Sequence, residues 1–281
     1  MKNVGYGIRI ALLVVCAVVF FISLGMLINI LIGYRQADGV YESINEGFET
    51  LPPEMGSVTE SEEPDESEEL EAPRVIYRTD MTEQMKEQYE YFMELKAQYP
   101  DVVGYVSVPS VSINYPVVQT GNNDYYLNHL ITGEQSTNGS IFLDYRCDAN
   151  ALTAKNSVLY GHNMNSGAMF HNIEELFVLD AFLGAEVEYI CEQGIFFYKP
   201  LSVYRADATY PFARYSFADD EAYLDFCRTA VEKSRFVESE SVLYGADSSV
   251  ITLITCTNSI TSKTGRYVFQ AVLDTVYLVE E

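Results

Sequence analysis

The chain has no tryptophan, only three histidines, and 17 Lys and Arg against 41 Asp and Glu. Each shortage excludes something. A formal net charge of −24 repels phosphate backbones, so nucleic acid is set aside as a partner. There is no Gly-rich phosphate loop and no paired-cysteine metal spacing, so no nucleotide, cofactor or metal is expected. Lacking Trp, the core must draw on 22 Tyr and 15 Phe together with Val, Ile and Leu, a mix that favours strands. At 281 residues, 48% of them apolar, the chain suffices for one ordinary domain with a terminal appendage.

What is present begins with residues 10–34, which carry no charge between Arg9 and Arg35. As a helix this run spans ~37 Å at ~1.5 Å per residue, more than the ~30 Å hydrocarbon core of a bilayer. A cleaved signal has a shorter apolar region, ~7 to 15 residues, and a small-x-small site that is not evident here. The expectation is a single-pass transmembrane signal anchor over residues 10–34. Lys2 and Arg9 outweigh Arg35, which puts residues 1–9 in the cytoplasm and the body outside the cell membrane. From Gln36 to Pro73 there are thirteen Asp or Glu and no Lys or Arg. Such composition predicts an acidic disordered stalk over residues 35–75 that holds the body, residues 76–281, off the membrane.

Within the body, Met81, Met85, Tyr89, Phe92, Met93 and Leu95 follow helical spacing, with Thr79 or Thr82 as cap and Pro100 as stop. The period then changes. Eight short runs rich in β-branched and aromatic residues follow: VVGYVSVPS, INYPVVQT, GSIFLDYR, NSVLYGHN, AEVEYIC, GIFFYKPLSVYRA, SVITLITCT and YVFQAVLDTVYLVE. One long helix, FADDEAYLDFCRTAVEKSR, interrupts them late, acidic at its start and basic at its end. A shorter helix is expected over MFHNIEELFVLDAF. Eight strands with few helices predict a mainly β fold, a closed barrel or a sandwich.

Four cysteines lie in the body, Cys147, Cys191, Cys227 and Cys256, enough for two disulfides in an exported domain. Wide spacing in a domain with an ample core argues against that framework. Cys191 and Cys256 both end strand-like runs. Cys256 differs in having Arg266 ten residues on, where an antiparallel return sets a guanidinium beside the thiol and favours thiolate. Acyl transfer also needs a proton carrier, and the choices are His129, His162 and His171. His162 ranks first, because it sits where NSVLYG breaks into a Gly and Asn loop.

YGHNM with His162, TLITCT with Cys256 and GRYVFQAVL with Arg266, in that order, resemble a class B sortase, a cysteine transpeptidase of Gram-positive bacteria. PVVQTGNNDYYLN, GSIFLDYR and AMF support the resemblance, which runs from about Met81 to Val279. It implies an eight-stranded sortase-type β-barrel with an N-terminal helix and a long helix before the catalytic strand. It implies catalysis by His162, Cys256 and Arg266, and substrate binding by Asn123, Leu127 and Thr257. The implied reaction cleaves a threonine-containing sorting motif near the C-terminus of a secreted protein through a thioester. The product is handed to an amine acceptor such as a lipid-linked peptidoglycan precursor or a pilin lysine. Ile254 and Thr257 depart from several relatives, so no motif preference is carried over. The loop TYPFARYSF is expected to wall the pocket. Two other readings stay open at this level: a surface cysteine protease resolved by water, and a catalytically silent surface-binding barrel.

Overall fold

The structure is a computed structural model that describes residues 2–48, 75–236, 244–257 and 264–279. Its elements are α1 (Lys2–Glu46), β1 (Ile76–Arg78), α2 (Glu83–Gln98), β2 (Val102–Val108), β3 (Ile113–Val118), β4 (Ile141–Leu143), β5 (Asn156–Tyr160), α3 (Leu179–Leu183), β6 (Val187–Cys191), β7 (Gly194–Asp207), α4 (Asp220–Lys233), β8 (Val250–Cys256) and β9 (Gly265–Leu278). All eight expected strands are present as β2 to β9. They close in the order β9, β7, β6, β2, β3, β4, β5, β8, with β8 returning to β9. The barrel is mixed, because β3 with β4 and β5 with β8 run parallel while the other barrel pairs are antiparallel. Closure leaves no open edge, which suits a body rich in apolar strands.

Inside, Tyr105, Tyr189, Tyr198, Phe196, Phe197 and Phe269 are fully buried and fill the volume that tryptophan takes in other cores. Full burial of one such side chain is worth about 1.5–3 kcal/mol. Gly104 is what lets Tyr189 lie across β2, since a Cβ there would overlap the tyrosine ring. β1 lay outside the expected elements. It pairs parallel with Thr275–Tyr277 of β9, just beyond the residues 266–272 that pair with β8.

The two longer body helices match their signals. Thr82 caps α2 by accepting from the Met85 N–H, and Asp219 caps α4 by accepting from the Ala222 N–H. The shorter helix expected near residue 170 is two pieces instead: a 3-10 segment over His171–Phe177, extended backbone at Val178, then α3. Ile173 and Leu176 are buried three residues apart, which suits a three-residue turn better than a 3.6-residue one.

The largest departure concerns the N-terminal helix. The apolar run is helical as expected, and α1 is long and apolar enough to cross a membrane. It does not end at residue 34, however, but continues to Glu46. The acidic segment was expected to be a disordered stalk from residue 35, yet its first turns are helix. Ala37, Tyr41, Ile44 and Phe48 are buried in the barrel's own core cluster. Their 4-3-4 spacing makes an apolar stripe along one face, hidden among Asp38, Glu42 and Glu46. Phe48 stacks on Tyr105 at 3.8 Å between ring centroids. Residues 49–74 lie outside the described set. That part of the expected stalk is therefore outside the described residues, while Phe48 before it and Val75 after it both pack on the same cluster.

Candidate active site

Three strands set the site. β8 and β9 pair antiparallel in a register that puts Cys256 directly opposite Arg266, as the ten-residue spacing suggested. Residues so placed carry Cβ atoms about 4.5–5.5 Å apart. β5 runs parallel to β8, with Tyr160 beside Ile254 and the Gly161 N–H donating to the Ile254 carbonyl at 3.1 Å. Parallel pairing brings both strands out at the same rim. His162 and Cys256, each two residues beyond that last pair, therefore emerge side by side.

A cleft of about 300 Å³ opens between them. Its walls include Asn123, Leu127, Phe142, Tyr160, His162, Ile254, Cys256 and Arg266. The His162 Nε2 lies 2.8 Å from the Leu127 carbonyl. A carbonyl only accepts, so Nε2 carries the hydrogen and Nδ1 is left as the nitrogen that exchanges a proton. The Arg266 Nη1 donates to the Gly265 carbonyl at 2.9 Å, which holds the guanidinium at the start of β9.

Of the expected substrate-binding residues, Asn123 and Leu127 line the cleft and Thr257 does not. Thr257 instead extends the ladder, its N–H donating to the Gly265 carbonyl at 2.9 Å. The side chain of Asn123 is held at both ends. Its Nδ2 donates to Asp144 at 3.0 Å, and its Oδ1 accepts from the Tyr145 N–H at 3.0 Å. Leu127 contributes its carbonyl to His162 as well as its position in the wall. The loop 209–217, expected as a pocket wall, contributes nothing to this lining. Arg214 accepts from Asn156, at the start of β5, whereas the cleft lies beyond that strand's other end.

Two residues that the sequence did not single out complete the surroundings. Asp144 is a buried carboxylate held by Arg146 at 2.8 and 2.7 Å and by the Tyr160 hydroxyl at 3.1 Å. Burial disfavours its charge, but hydrogen bonds from Arg146 and Asn123 outweigh that and keep the carboxyl below the usual range. Asn163 ties the histidine loop to the end of β8: its Nδ2 donates to the Cys256 carbonyl at 2.8 Å. Its Oδ1 sits 2.7 Å from His171 Nδ1, so the third histidine orients the amide. His129 lies outside the cleft lining, with Nδ1 at 2.8 Å from the Tyr125 carbonyl. The only signals were adjacency to His162 for Asn163 and, for Asp144, a place in the GSIFLDYR stretch.

The five cysteines are all free. Cys147, Cys191 and Cys227 are buried, and burial pushes each thiol up to about 11. In the barrel, Cys256 alone is exposed. A reachable thiol, an opposed guanidinium and a neighbouring imidazole define a cysteine acyl-transfer site.

The chain belongs to the sortase family: the family model described as the sortase domain matches residues 106–274. Sortase B of Listeria monocytogenes is 32% identical over 184 residues, covering 65% of this chain and 73% of that protein. Among solved structures, sortase B of Clostridium perfringens aligns with a TM-score of 0.59 at 29% identity, covering 64% of this chain and 98% of that one. Sortase B of Bacillus anthracis in complex with AAEK1 gives 0.65 at 26% identity, covering 87% and 99%. With this barrel and these relatives, the protein is a class B sortase, a cysteine transpeptidase.

Proposed function

We propose that this sortase cleaves a threonine-containing sorting motif near the C-terminus of a secreted protein and transfers the product to an amine. The observation that carries the reading is the joint register of β5, β8 and β9, which gathers His162, Cys256 and Arg266 at one rim. The Cys256 thiolate attacks the threonine carbonyl, and a negative charge develops on its oxygen. Arg266 donates to that oxygen, work in which a preorganised donor contributes about 3–4 kcal/mol. A guanidinium stays protonated throughout, so His162 is the proton carrier. The C–N bond breaks as the histidine gives its Nδ1 proton to the departing amine, leaving a thioester. The acceptor amine then attacks, its proton passes to His162, and the thiolate is released as the new amide forms.

Asn123 and Leu127 flank the bound motif, and Thr257 acts through the strand ladder. The acceptor is a lipid-linked peptidoglycan precursor or a pilin lysine. α1 spans the cell membrane once, with residues 1–9 inside and the barrel outside, a reading supported by the exposed apolar side chains from Leu12 to Ile32 and by Lys2 and Arg9 before them. A threonine-containing peptide incubated with the full chain, with and without an amine acceptor, tests the chemistry. Ligated product whose yield rises with amine concentration is expected. Hydrolysis indifferent to the amine would mean a protease resolved by water.

A further inference from the structure

The second half of α1 is bonded to the barrel wall that holds the catalytic histidine. The Tyr41 hydroxyl reaches the Gly139 carbonyl at 3.0 Å and the Ser140 hydroxyl at 2.9 Å. Ser140 in turn donates from Oγ to the His129 carbonyl and from its N–H to the Tyr126 carbonyl, each at 2.9 Å. Leu127, whose carbonyl holds His162, lies between those two residues. Gln36 donates to Glu134 at 2.8 Å, and the Tyr105 hydroxyl donates to Asn45 at 2.8 Å. No linker intervenes: the apolar run ends at Tyr34, which already packs against the barrel's core cluster, and the Gln36 hydrogen bond follows two residues later.

This fixes which face of the barrel looks toward the apolar half of α1. A cleft of about 380 Å³ is lined on one side by Asn29, Ile30 and Gly33, still within that run, and on the other by Asn128, Gln135 and Thr137. The run is ~37 Å long against a ~30 Å hydrocarbon core, so ~7 Å of it, the stretch near residues 30–34, emerges among the headgroups. The facing loop, residues 128–137, is suited to that layer. In a body of net charge −14 it has one carboxylate, Glu134, which is already bonded to Gln36; the rest of its exposed groups are amides and hydroxyls. Beside it the exposed Tyr125 ring stacks on His129 at 4.1 Å, an aromatic pair of the kind that sits at bilayer interfaces.

We propose that residues 128–137 form a membrane seat. The phosphate-bearing headgroup layer of the bilayer crossed by α1 packs against this loop, and the catalytic cleft, whose wall runs on from it through Leu127, opens at the membrane surface. The inference rests on the reading of α1 as a membrane span. Its substrate consequence is that polypeptides and amines held close to the bilayer are within reach of Cys256, while the barrel neither swings freely nor extends away.

The test uses the full chain in phosphatidylcholine and phosphatidylglycerol vesicles, with Cys16→Ser and Cys256→Ala so that only the buried native thiols remain. A fluorophore is attached at Thr137→Cys or, separately, at Glu221→Cys on α4, which packs on β7. With quencher on the lipid headgroups, the label at 137 should lose roughly half of its emission and the label at 221 little, because the headgroup layer is only ~5–7 Å deep. Inserting three glycines between Arg35 and Gln36 should relieve the quenching at 137, while the same insertion in the enzyme with Cys256 intact leaves cleavage of a soluble peptide unchanged. Equal quenching at both sites, or quenching at 137 that survives the insertion, overturns the seat. If the chain resists alkaline extraction from the vesicles but 137 is unquenched, the seat fails and the membrane span stands. If alkali extracts the chain, the span itself fails, and the seat with it.

Discussion

Cys191 and Cys256 each close an apolar strand run, and their surroundings are opposite. Cys191 is 1% exposed at the end of β6; after two residues β7 starts back from Gly194, and β9 lies against β7. Gly194 takes φ 143, and a Cβ there would strike the Tyr277 carbonyl. Burial keeps the Cys191 thiol protonated, and its Sγ lies 3.1 Å from Gln193 Oε1. Cys256 leaves β8 where β5 has already ended, so its side chain stands at an open rim opposite Arg266. A strand-end cysteine is thus sealed or left reachable by what pairs beyond it: a two-residue hairpin buries Cys191, whereas β5 stops short of Cys256.

The sharpest break of this contrast is a pair of alanines. Cys256→Ala should lower peptide cleavage by about a thousandfold or more. Cys191→Ala should keep full activity and cost about 1–2 kcal/mol in denaturant unfolding through the small cavity left behind. Equal activity loss in both would erase the distinction. Next in size is Arg266→Lys, expected to cost about a hundredfold in kcat/KM, because a point charge does not replace a planar donor aimed at the oxyanion.

Asn163→Ala should have a smaller effect, about tenfold in kcat with KM little changed, since it removes one hydrogen bond to the Cys256 carbonyl and leaves the cleft lining intact. Asn163→Asp sharpens the point. It can still accept from His171 but donates to Cys256 only when protonated, so its residual activity should rise toward low pH relative to the wild type.

The smallest effect concerns stability next to β6. Burial raises the Glu186 carboxyl to about 7, with Lys199 pulling it down and Asp274 pushing it up. The folded chain therefore holds a proton that the unfolded chain releases near the ordinary Glu value. Stability falls as pH rises through that window and the loss is complete above about 7. Glu186→Gln should be neutral near pH 4 and about 1–2 kcal/mol more stable at pH 8, read by chemical denaturation. A change in cleavage rate with it would mean that the β6 side of the barrel is not purely structural.

Much of the architecture was readable from local pattern. β2 to β9 announced themselves through β-branched and aromatic runs, and α2 and α4 through period and caps, because those preferences act over a few residues. β1 was not readable: three residues carry no period, and their pairing exists only because β9 outruns β8. The buried stripe Ala37, Tyr41, Ile44 and Phe48 was masked by average acidity, which hides an ordered face behind a charged one. The loop 209–217 was expected to wall the pocket; it starts beside the Arg266 rim, where Asp207 pairs with Gly265, but runs on to Asn156 without entering the cleft lining, a course that sequence order does not give.

By itself the sequence determined the pairing of Cys256 with Arg266, the apolar run and the barrel's strand content, since each depends on residue type and short spacing. Tertiary structure decided the rest. The Leu127 carbonyl that selects the His162 tautomer, the Asn163 amide that grips Cys256, and the docking of α1 on the wall behind them all join positions 35 or more residues apart. Such contacts are made by backbone groups and buried faces, and these come together only when the barrel closes.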